Sequence, residues 1–205
     1  MNLHRPVLLL VLVVTLLGAA CSASGGPAGR FQGAELPEPQ TKPELVLTDT
    51  DGEPFDLRAE TEDQVTVLFF GYTSCPDICP LQMANLAGAL EQNRGVNAHV
   101  VFVSVDPEVD TPEVIREWLD RYDVDFDGLT GTPEELRAAQ EDALLPVATA
   151  ATVEDDGTRT VGHAAQAIGF GRDGKAYVYW PSGTRQSTFA HDLAVLADIA
   201  PTPAP

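Results

Sequence analysis

Residues 65–80 read VTVLFFGYTSCPDICP and contain the strongest structural signal in the chain. The apolar run 65–70 is rich in β-branched and aromatic residues, which is typical of a strand buried on both faces of a sheet. Two cysteines, Cys75 and Cys79, follow this run, and a proline follows each of them. Good helix formers then occupy residues 81–92. The stretch therefore predicts a buried strand, a cysteine-bearing turn and a helix in immediate succession.

The segments that follow extend this stretch into a larger α/β unit. A second apolar run at 98–105, AHVVFVSV, follows the helix, and strand, helix and strand at this spacing predict a parallel βαβ unit. Two more helices are predicted, from about 111 to 122 and from about 132 to 144. Each begins with Thr-Pro, and Thr132 with Glu135 forms the pattern of a capping box.

The two ends of the domain have the pattern of hairpins. Strands at 164–170 and 176–180 are joined by an Asp-Gly turn, and a last helix is predicted at 188–199. A smaller hairpin is predicted between 44 and 57, which includes DTDGEPFDL. We therefore predict an α/β fold: a mixed sheet flanked by helices, with an N-terminal β-hairpin and an insertion before the C-terminal hairpin.

The N-terminus has the pattern of an export signal. Residues 1–20 contain Arg5, an apolar run at 7–17 that is too short to span a bilayer, and small residues before Cys21. This order resembles the lipobox of bacterial lipoproteins, which predicts a signal peptide at 1–20 and lipidation of Cys21. Ordinary secretion with a free thiol is the alternative. Residues 21–42 are rich in Gly, Ser and Pro and are predicted to be a flexible tether, and 201–205 a disordered tail. One domain is expected at 43–200.

Composition limits the possible partners. The chain of 205 residues carries 12 Lys and Arg against 31 Asp and Glu, a net charge of −19. Such acidity argues against nucleic acid, which is bound by basic patches. Charge alone does not establish a metal site, because acidity also promotes solubility. Three cysteines in all exclude a disulfide-dense mini-domain.

The cysteine pair has the chemistry of a metal site or of a redox dithiol. A residue before proline is disfavoured in a helix, so the helix is predicted to start at Pro80, with Cys79 at its N-terminus. Free N–H groups and the helix dipole at that position stabilise a thiolate, the form that both metal binding and disulfide exchange require. A structural disulfide is the alternative, although a bridge across so small a loop adds little stability.

The motifs together resemble those of a known family. A dithiol between strand and helix is typical of thioredoxin-like proteins. The wider sequence is similar to the Sco/SenC family of exported or membrane-tethered copper proteins that serve cytochrome c oxidase assembly. The resemblance is carried by FFGYTSCPDICP at 69–80, VSVDPEVDTPE at 103–113, the single His163 before the hairpin, Asp173-Gly174 within it, and the tether.

This resemblance implies a thioredoxin-like domain that binds copper through Cys75, Cys79 and His163. It implies a copper metallochaperone or maturation factor for the CuA centre, lipid-anchored at the extracytoplasmic face of the membrane. Its expected partner is the copper-bearing subunit of cytochrome c oxidase or another copper or thiol protein. The sequence departs from the family pattern beside the histidine, where Gly162 and Ala164 carry no polar side chain.

Two other functions remain open at this point. A thiol:disulfide oxidoreductase would use Cys75 and Cys79 as a redox pair, with metal binding incidental. A peroxidase on the same fold would need an arginine beside the cysteine, and none is near it in sequence. Zinc would also accept two cysteines and a histidine. Asp77, between the cysteines, is open to two interpretations: it tunes the thiols or faces a partner, or it is simply solvated. Asp106 and Asp110 are expected to hold their loop and to cap the following helix. Met83, His99 and His191 are expected to have packing or surface roles.

Overall fold

The structure is a computed structural model that describes residues 29–201. The predicted signal peptide at 1–20, the predicted lipidation site Cys21 and residues 202–205 lie outside the described residues. None of the helices within 29–201 is long and apolar enough to cross a membrane.

Strands and helices alternate through most of the described chain. The strands are β1 (Ala34–Thr41), β2 (Val46–Asp49), β3 (Pro54–Asp56), β4 (Val65–Gly71), β5 (Ala98–Ser104), β6 (Asp127–Thr130), β7 (Thr152–Val153), β8 (Arg159–Thr160), β9 (Ala167–Phe170) and β10 (Lys175–Trp180). The helices are α1 (Leu57–Glu60), α2 (Ile78–Gln92), α3 (Pro112–Leu119), α4 (Pro133–Asp142) and α5 (Gln186–Ala197).

A mixed sheet forms the centre of the domain, as predicted. Its strand order is β1-β10-β9-β4-β5-β6-β2-β3, with β4, β5 and β6 parallel and the other pairs antiparallel. Strands β4 and β5 pair in register from Val65 with Ala98 to Gly71 with Ser104. Every residue of β4 is buried, which explains its continuous apolar sequence. The parallel βαβ unit is therefore confirmed.

Local signals set the starts of the helices that flank the sheet. The Thr111 side chain accepts a hydrogen bond from the Val114 N–H and precedes Pro112, the first residue of α3. Thr132 and Glu135 form the capping box that the sequence predicts for α4. Both hydroxyls satisfy N–H groups that have no partner inside the helix, which stabilises each start by about 1 kcal/mol.

The prediction of a flexible tether at 21–42 is wrong for residues 34–41. Ala34–Thr41 forms β1 at the edge of the sheet and pairs with β10, with an irregularity between Glu35 and Gln40. The irregularity contains Pro37 and Pro39. Proline is tolerated on an edge strand because its missing N–H is not needed there. Composition alone therefore suggested a flexible segment where the structure has a strand.

The residues that flank β1 also belong to the fold. The N–H groups of Gln32 and Gly33 donate hydrogen bonds to the buried carboxylate of Asp192 on α5. At the other end of β1, the ammonium of Lys42 is buried and donates to the Thr61 carbonyl and to the hydroxyls of Thr61 and Thr66. Burial lowers the pKa of Lys42 to about 8. The folded domain therefore begins well before residue 43.

Strand β6 is absent from the sequence prediction, and Gly128 shows why its signal is weak. The four residues of β6 read DGLT, which lacks a long apolar run. A Cβ on Gly128 would lie 2.4 Å from Ile115 Cγ2 of α3. Glycine is therefore needed here for α3 to pack closely against the strand, although it weakens strand propensity.

The predicted insertion and C-terminal hairpin are both present. The segment between α4 and β9 contains a separate two-stranded hairpin, β7–β8, outside the main sheet. Strands β9 and β10 form the C-terminal hairpin. Gly174 in its turn has a φ of 71°, a left-handed conformation that glycine adopts without steric cost.

Candidate functional site

The cysteine loop lies at the carboxyl end of β4, where the strand leads into α2. The helix begins at Ile78, two residues before the predicted start at Pro80. The Asp77 side chain caps it by accepting a hydrogen bond of 2.6 Å from the Ile78 N–H. Just before the loop, a Cβ on Gly71 would lie 3.0 Å from the Cys79 sulfur. The strand therefore ends in glycine where a thiol packs against it.

The two cysteines are free thiols in contact with one another. Cys79 is fully buried, and Cys75 is 9% exposed. The backbone N–H of Cys79 donates a hydrogen bond of 3.4 Å to the sulfur of Cys75. The first turn of α2 therefore directs an amide at Cys75, the cysteine that precedes the helix.

Their surroundings shift the pKa values of the two thiols in opposite directions. A hydrogen bond with the Cys79 thiol is the largest of the effects that lower the pKa of Cys75, and His163 and the amides of Cys79 and Asp77 act in the same sense. The pKa of Cys79 is raised because its proton is held in that hydrogen bond and because the thiol is buried. The prediction that Cys79 is the stabilised thiolate is therefore wrong. The amides at the start of the helix donate hydrogen bonds to the sulfur of Cys75, whereas the Cys79 thiol is buried in the core.

His163 is distant from the dithiol in sequence but lies beside it in the folded domain. Its Nε2 lies 4.0 Å from the Cys79 sulfur, across a separation of 84 residues. Its Nδ1 lies 3.1 Å from the carbonyl oxygen of Ala164. The ring meets Tyr72 edge-on at 5.5 Å between centroids. The structure thus brings together the three side chains that the sequence singled out.

The three donors fit a soft metal ion in their chemistry, and one of their separations can be compared with that of bound ligands. Thiolates and imidazole are the ligands that Cu(I) and Zn(II) prefer. Sulfur and nitrogen bound to one such ion would be about 3.5 Å apart, given bonds of about 2.0–2.3 Å, close to the 4.0 Å between Cys79 and His163. Within residues 29–201, no group of three His, Cys, Asp or Glu side chains is already arranged to hold a metal ion.

Asp110 holds the cysteine loop in place. Its buried carboxylate accepts hydrogen bonds from the Thr73 N–H at 2.9 Å, the Thr73 hydroxyl at 2.5 Å and the Ser104 hydroxyl at 2.6 Å. These contacts join the loop after β4 to the loop after β5. The predicted role of Asp110 in holding the loop is confirmed, whereas Thr111 caps α3.

The other candidates lie apart from the dithiol or serve the fold. His99 contacts Asp127 at 2.9 Å, where β5 and β6 begin, at the opposite ends of the strands from the cysteines. His191 is bonded to Asp192 on α5, and Met83 is fully buried in α2. Across residues 29–201, no hydrogen bond or ion pair joins an arginine to Cys75 or Cys79.

Two pairings of buried carboxylates were not found from the sequence. Arg159 makes a two-pronged ion pair with the buried Asp106. Asp192 accepts hydrogen bonds from two backbone amides and from the indole of Trp180. Neither pairing has a local signal, because the partners are 53 and up to 160 residues apart.

Comparison with known proteins identifies similar chains over nearly the whole domain. The family model described as SCO1/SenC matches residues 33–198. A protein of Stutzerimonas stutzeri, provisionally named as copper-binding, is 32% identical over 176 residues, 84% of each chain. Protein SenC of Rhodobacter capsulatus is 40% identical over 99 residues, which cover 43% of this chain and 45% of that protein.

A solved structure shows the same architecture. Arabidopsis thaliana ScoI with copper bound superposes with a TM-score of 0.67 at 28% identity. The match covers 76% of this chain and 95% of that one. This agreement confirms the predicted thioredoxin-like mixed sheet flanked by helices.

Proposed function

The chain belongs to the SCO1/SenC family, and from this premise we propose that it is an extracytoplasmic copper metallochaperone for cytochrome c oxidase. In this proposal Cys75, Cys79 and His163 are the copper ligands. The observation that carries it is the imidazole of His163 at 4.0 Å from the Cys79 sulfur, 84 residues away in sequence. A similar protein, ScoI of Arabidopsis, has been solved with copper bound, which supports copper as the metal.

The protonation of the two thiols suits the binding of a soft ion. Cys75 has a lowered pKa and therefore supplies a thiolate without first losing a proton. Cys79 has a raised pKa and must release its proton when it binds the metal. Copper affinity should consequently rise with pH, because proton release accompanies binding. Two thiolates favour Cu(I), and the imidazole completes the set of three donors.

Copper titration of the reduced mature protein tests this assignment. Affinity for Cu(I) is measured in competition with a chromogenic chelator for the parent and for C75S, C79S and H163A. We expect each cysteine variant to lose at least about 100-fold in affinity and H163A about 10- to 100-fold, because a ligand is removed. The control is H191A, since His191 is a histidine away from the dithiol. Parental affinity in C75S or H163A would show that the assigned site is wrong.

Delivery to the copper-bearing subunit of cytochrome c oxidase, at its CuA centre, is the proposed purpose of this binding. The proposal places the protein on the outer face of the membrane through a lipid on Cys21. A C21S variant should move from the membrane fraction to the soluble fraction, and mass spectrometry of the native N-terminus should show the lipid. Cytochrome c oxidase activity of cells that carry C75S should be low and should be restored in part by added copper.

A second function, thiol:disulfide exchange with a partner, is favoured by the lowered pKa of Cys75. The Cys75 thiolate would attack one sulfur of a partner disulfide, form a mixed disulfide and release one partner thiolate. Cys79 would then lose its proton and attack Cys75, which releases the second partner thiolate. The protein ends with a Cys75–Cys79 disulfide, and the partner has gained two electrons. If H163A retains full biological activity while C75S and C79S lose it, this function is the correct one.

A further inference from the structure

The segment that carries His163 joins the separate β7–β8 hairpin to β9 of the main sheet. His163 lies between β8 and β9, and the β7–β8 hairpin that precedes it is a separate two-stranded sheet. The residues that flank the histidine, Gly162 and Ala164, have no polar side chain that could orient the imidazole. The backbone of Gly162 is hydrogen-bonded to Thr149, and the imidazole contacts the ring of Tyr72. A contact farther along the segment adds to this support.

Arg159 on β8 makes such a contact. Its Nε and Nη2 donate hydrogen bonds of 2.5 and 2.6 Å to the two carboxylate oxygens of Asp106, and Nη2 also lies 2.8 Å from Glu108 Oε2. The Asp106 side chain is 3% exposed and that of Arg159 is 17% exposed. A two-pronged pair shielded from water in this way fixes the orientation of both groups better than an exposed pair does.

Asp106 lies in the same loop that holds the cysteines. The loop between β5 and α3 carries Asp106 and Asp110, and a backbone hydrogen bond of 3.0 Å from the Asp110 N–H to the Asp106 carbonyl closes the turn between them. Asp110 binds Thr73 of the cysteine loop. One rigid turn is thus attached by one aspartate to the cysteine loop and by the other to the histidine segment.

We propose that the Asp106–Arg159 ion pair is a latch that holds His163 beside the dithiol, and that Arg159 is a positioning residue for this site. The latch transmits the position of the cysteine loop to the β7–β8 hairpin, four residues before His163. Its effect on copper rests on the proposed copper function, whereas its effect on the position of His163 does not. The two are therefore measured separately.

The first experiment uses the reduced, metal-free mature protein. Hydrogen–deuterium exchange of residues 152–166 and the nuclear Overhauser contact between the His163 and Tyr72 rings are compared in the parent, R159Q, D106N and R159K. We expect faster exchange and a weakened ring contact in R159Q and D106N, with R159K intermediate, because a lysine keeps the charge but loses the second prong. Circular dichroism verifies that each variant folds.

The control variant is R137Q. Arg137 lines the same cavity of about 320 Å³ between α4 and the Asp106 loop, but its ion pair with Glu141 is more than half exposed. R137Q should leave exchange and ring contact at parental values. If R159Q also leaves both unchanged, Arg159 forms a surface ion pair only and the latch is refuted, whether or not the protein binds copper.

The second experiment measures the copper-loaded protein. We expect R159Q to weaken Cu(I) binding by about 10-fold or more, in the range found when a group that orients a metal ligand is removed. In the Cu(II) form, R159Q should show a weaker nitrogen coupling in electron paramagnetic resonance. In an H163A background, R159Q should have no further effect on affinity. An additional loss there would show that Arg159 acts on the metal other than through His163, which overturns the positioning role.

Discussion

At the scale of single residues, Cys75 and Cys79 are chemically unequal although they are one turn apart. Cys75 receives hydrogen bonds from the start of α2 and from its partner thiol, whereas Cys79 is buried in the core. The same hydrogen bond lowers one pKa and raises the other. The lowered pKa of Cys75 and the raised pKa of Cys79 therefore favour a thiolate on Cys75 and a thiol on Cys79 near neutral pH.

Alkylation should reveal this inequality. In the reduced, metal-free protein, we expect iodoacetamide to modify Cys75 before Cys79 at about pH 6, well below the ordinary thiol pKa of about 8.5. In C79A, which lacks the donor thiol, the midpoint of the pH profile for Cys75 should rise. Mass spectrometric fragmentation locates the modified cysteine. Faster modification of Cys79 than of Cys75 would contradict the assignment.

Lys42 is another residue whose pKa is shifted by its surroundings. Its ammonium is buried among neutral oxygens, and burial lowers its pKa from 10.5 to about 8. The unfolded chain therefore binds more protons than the folded protein between these two pH values. The contribution of Lys42 to stability must then rise as the pH increases through this window, and it is least favourable below pH 8.

Comparison of the parent with K42M tests whether the contribution of Lys42 to stability rises with pH. Between about pH 8 and 10, we expect the free energy of unfolding of the parent to rise relative to that of K42M, by at most about 3 kcal/mol. Urea titrations at a series of pH values give the difference. The control is K175M, because Lys175 is exposed in the β9–β10 hairpin. A difference between parent and K42M that does not change with pH would contradict the shifted pKa.

At the scale of elements, Asp192 joins three parts of the fold. Its carboxylate on α5 accepts hydrogen bonds from the N–H groups of Gln32 and Gly33 before β1 and from the indole of Trp180 at the end of β10. Asp192 is fully buried. The segment before β1 is therefore attached to α5 by charge-assisted hydrogen bonds, which are stronger than neutral ones.

Removing this carboxylate should release the segment. We expect D192A to lower the free energy of unfolding by about 3 kcal/mol, because the buried indole of Trp180 and two part-buried backbone N–H groups lose their acceptor. Trypsin should also cut after Arg30 faster than in the parent. The neighbouring variant H191A removes one partner of Asp192 but leaves the carboxylate in place, and it should change both values much less than D192A does. If trypsin cuts after Arg30 at the same rate in D192A as in the parent, Asp192 does not hold the segment before β1.

At the scale of the whole molecule, the net charge of −19 opposes compaction. Like charges repel across the surface, and salt screens this repulsion over a Debye length of about 10 Å at 0.1 M. The charge does not identify the metal, since the proposed donors are two sulfurs and an imidazole. Its physical consequence is an effect of ionic strength on stability.

Thermal unfolding at different salt concentrations measures that effect. We expect the Tm to rise by a few degrees between about 10 mM and 0.3 M NaCl, because self-repulsion is screened. KCl should have the same effect as NaCl, since screening depends on ionic strength. A Tm that falls with salt would show that favourable ion pairs, such as Arg159 with Asp106, outweigh the repulsion.

Much of the fold could be predicted because its signals are local. The continuous apolar run of β4, the capping box of α4 and the Asp-Gly turn before β10 each depend on neighbouring residues. Strand β1 was missed because prolines at an edge have the composition of a linker. Strand β6 was missed because close packing against α3 requires glycine.

The sequence was sufficient to predict the central parallel βαβ unit, the place of the dithiol between β4 and α2, and His163 as a candidate. Folding was needed to show that His163 lies beside Cys79, that the pKa of Cys75 is lowered while that of Cys79 is raised, and that Arg159 binds Asp106. The difference lies in how far apart in the chain the interacting residues are. Periodicity, caps and turns act between near neighbours in the chain, whereas burial and hydrogen bonding depend on contacts between residues that only folding brings together.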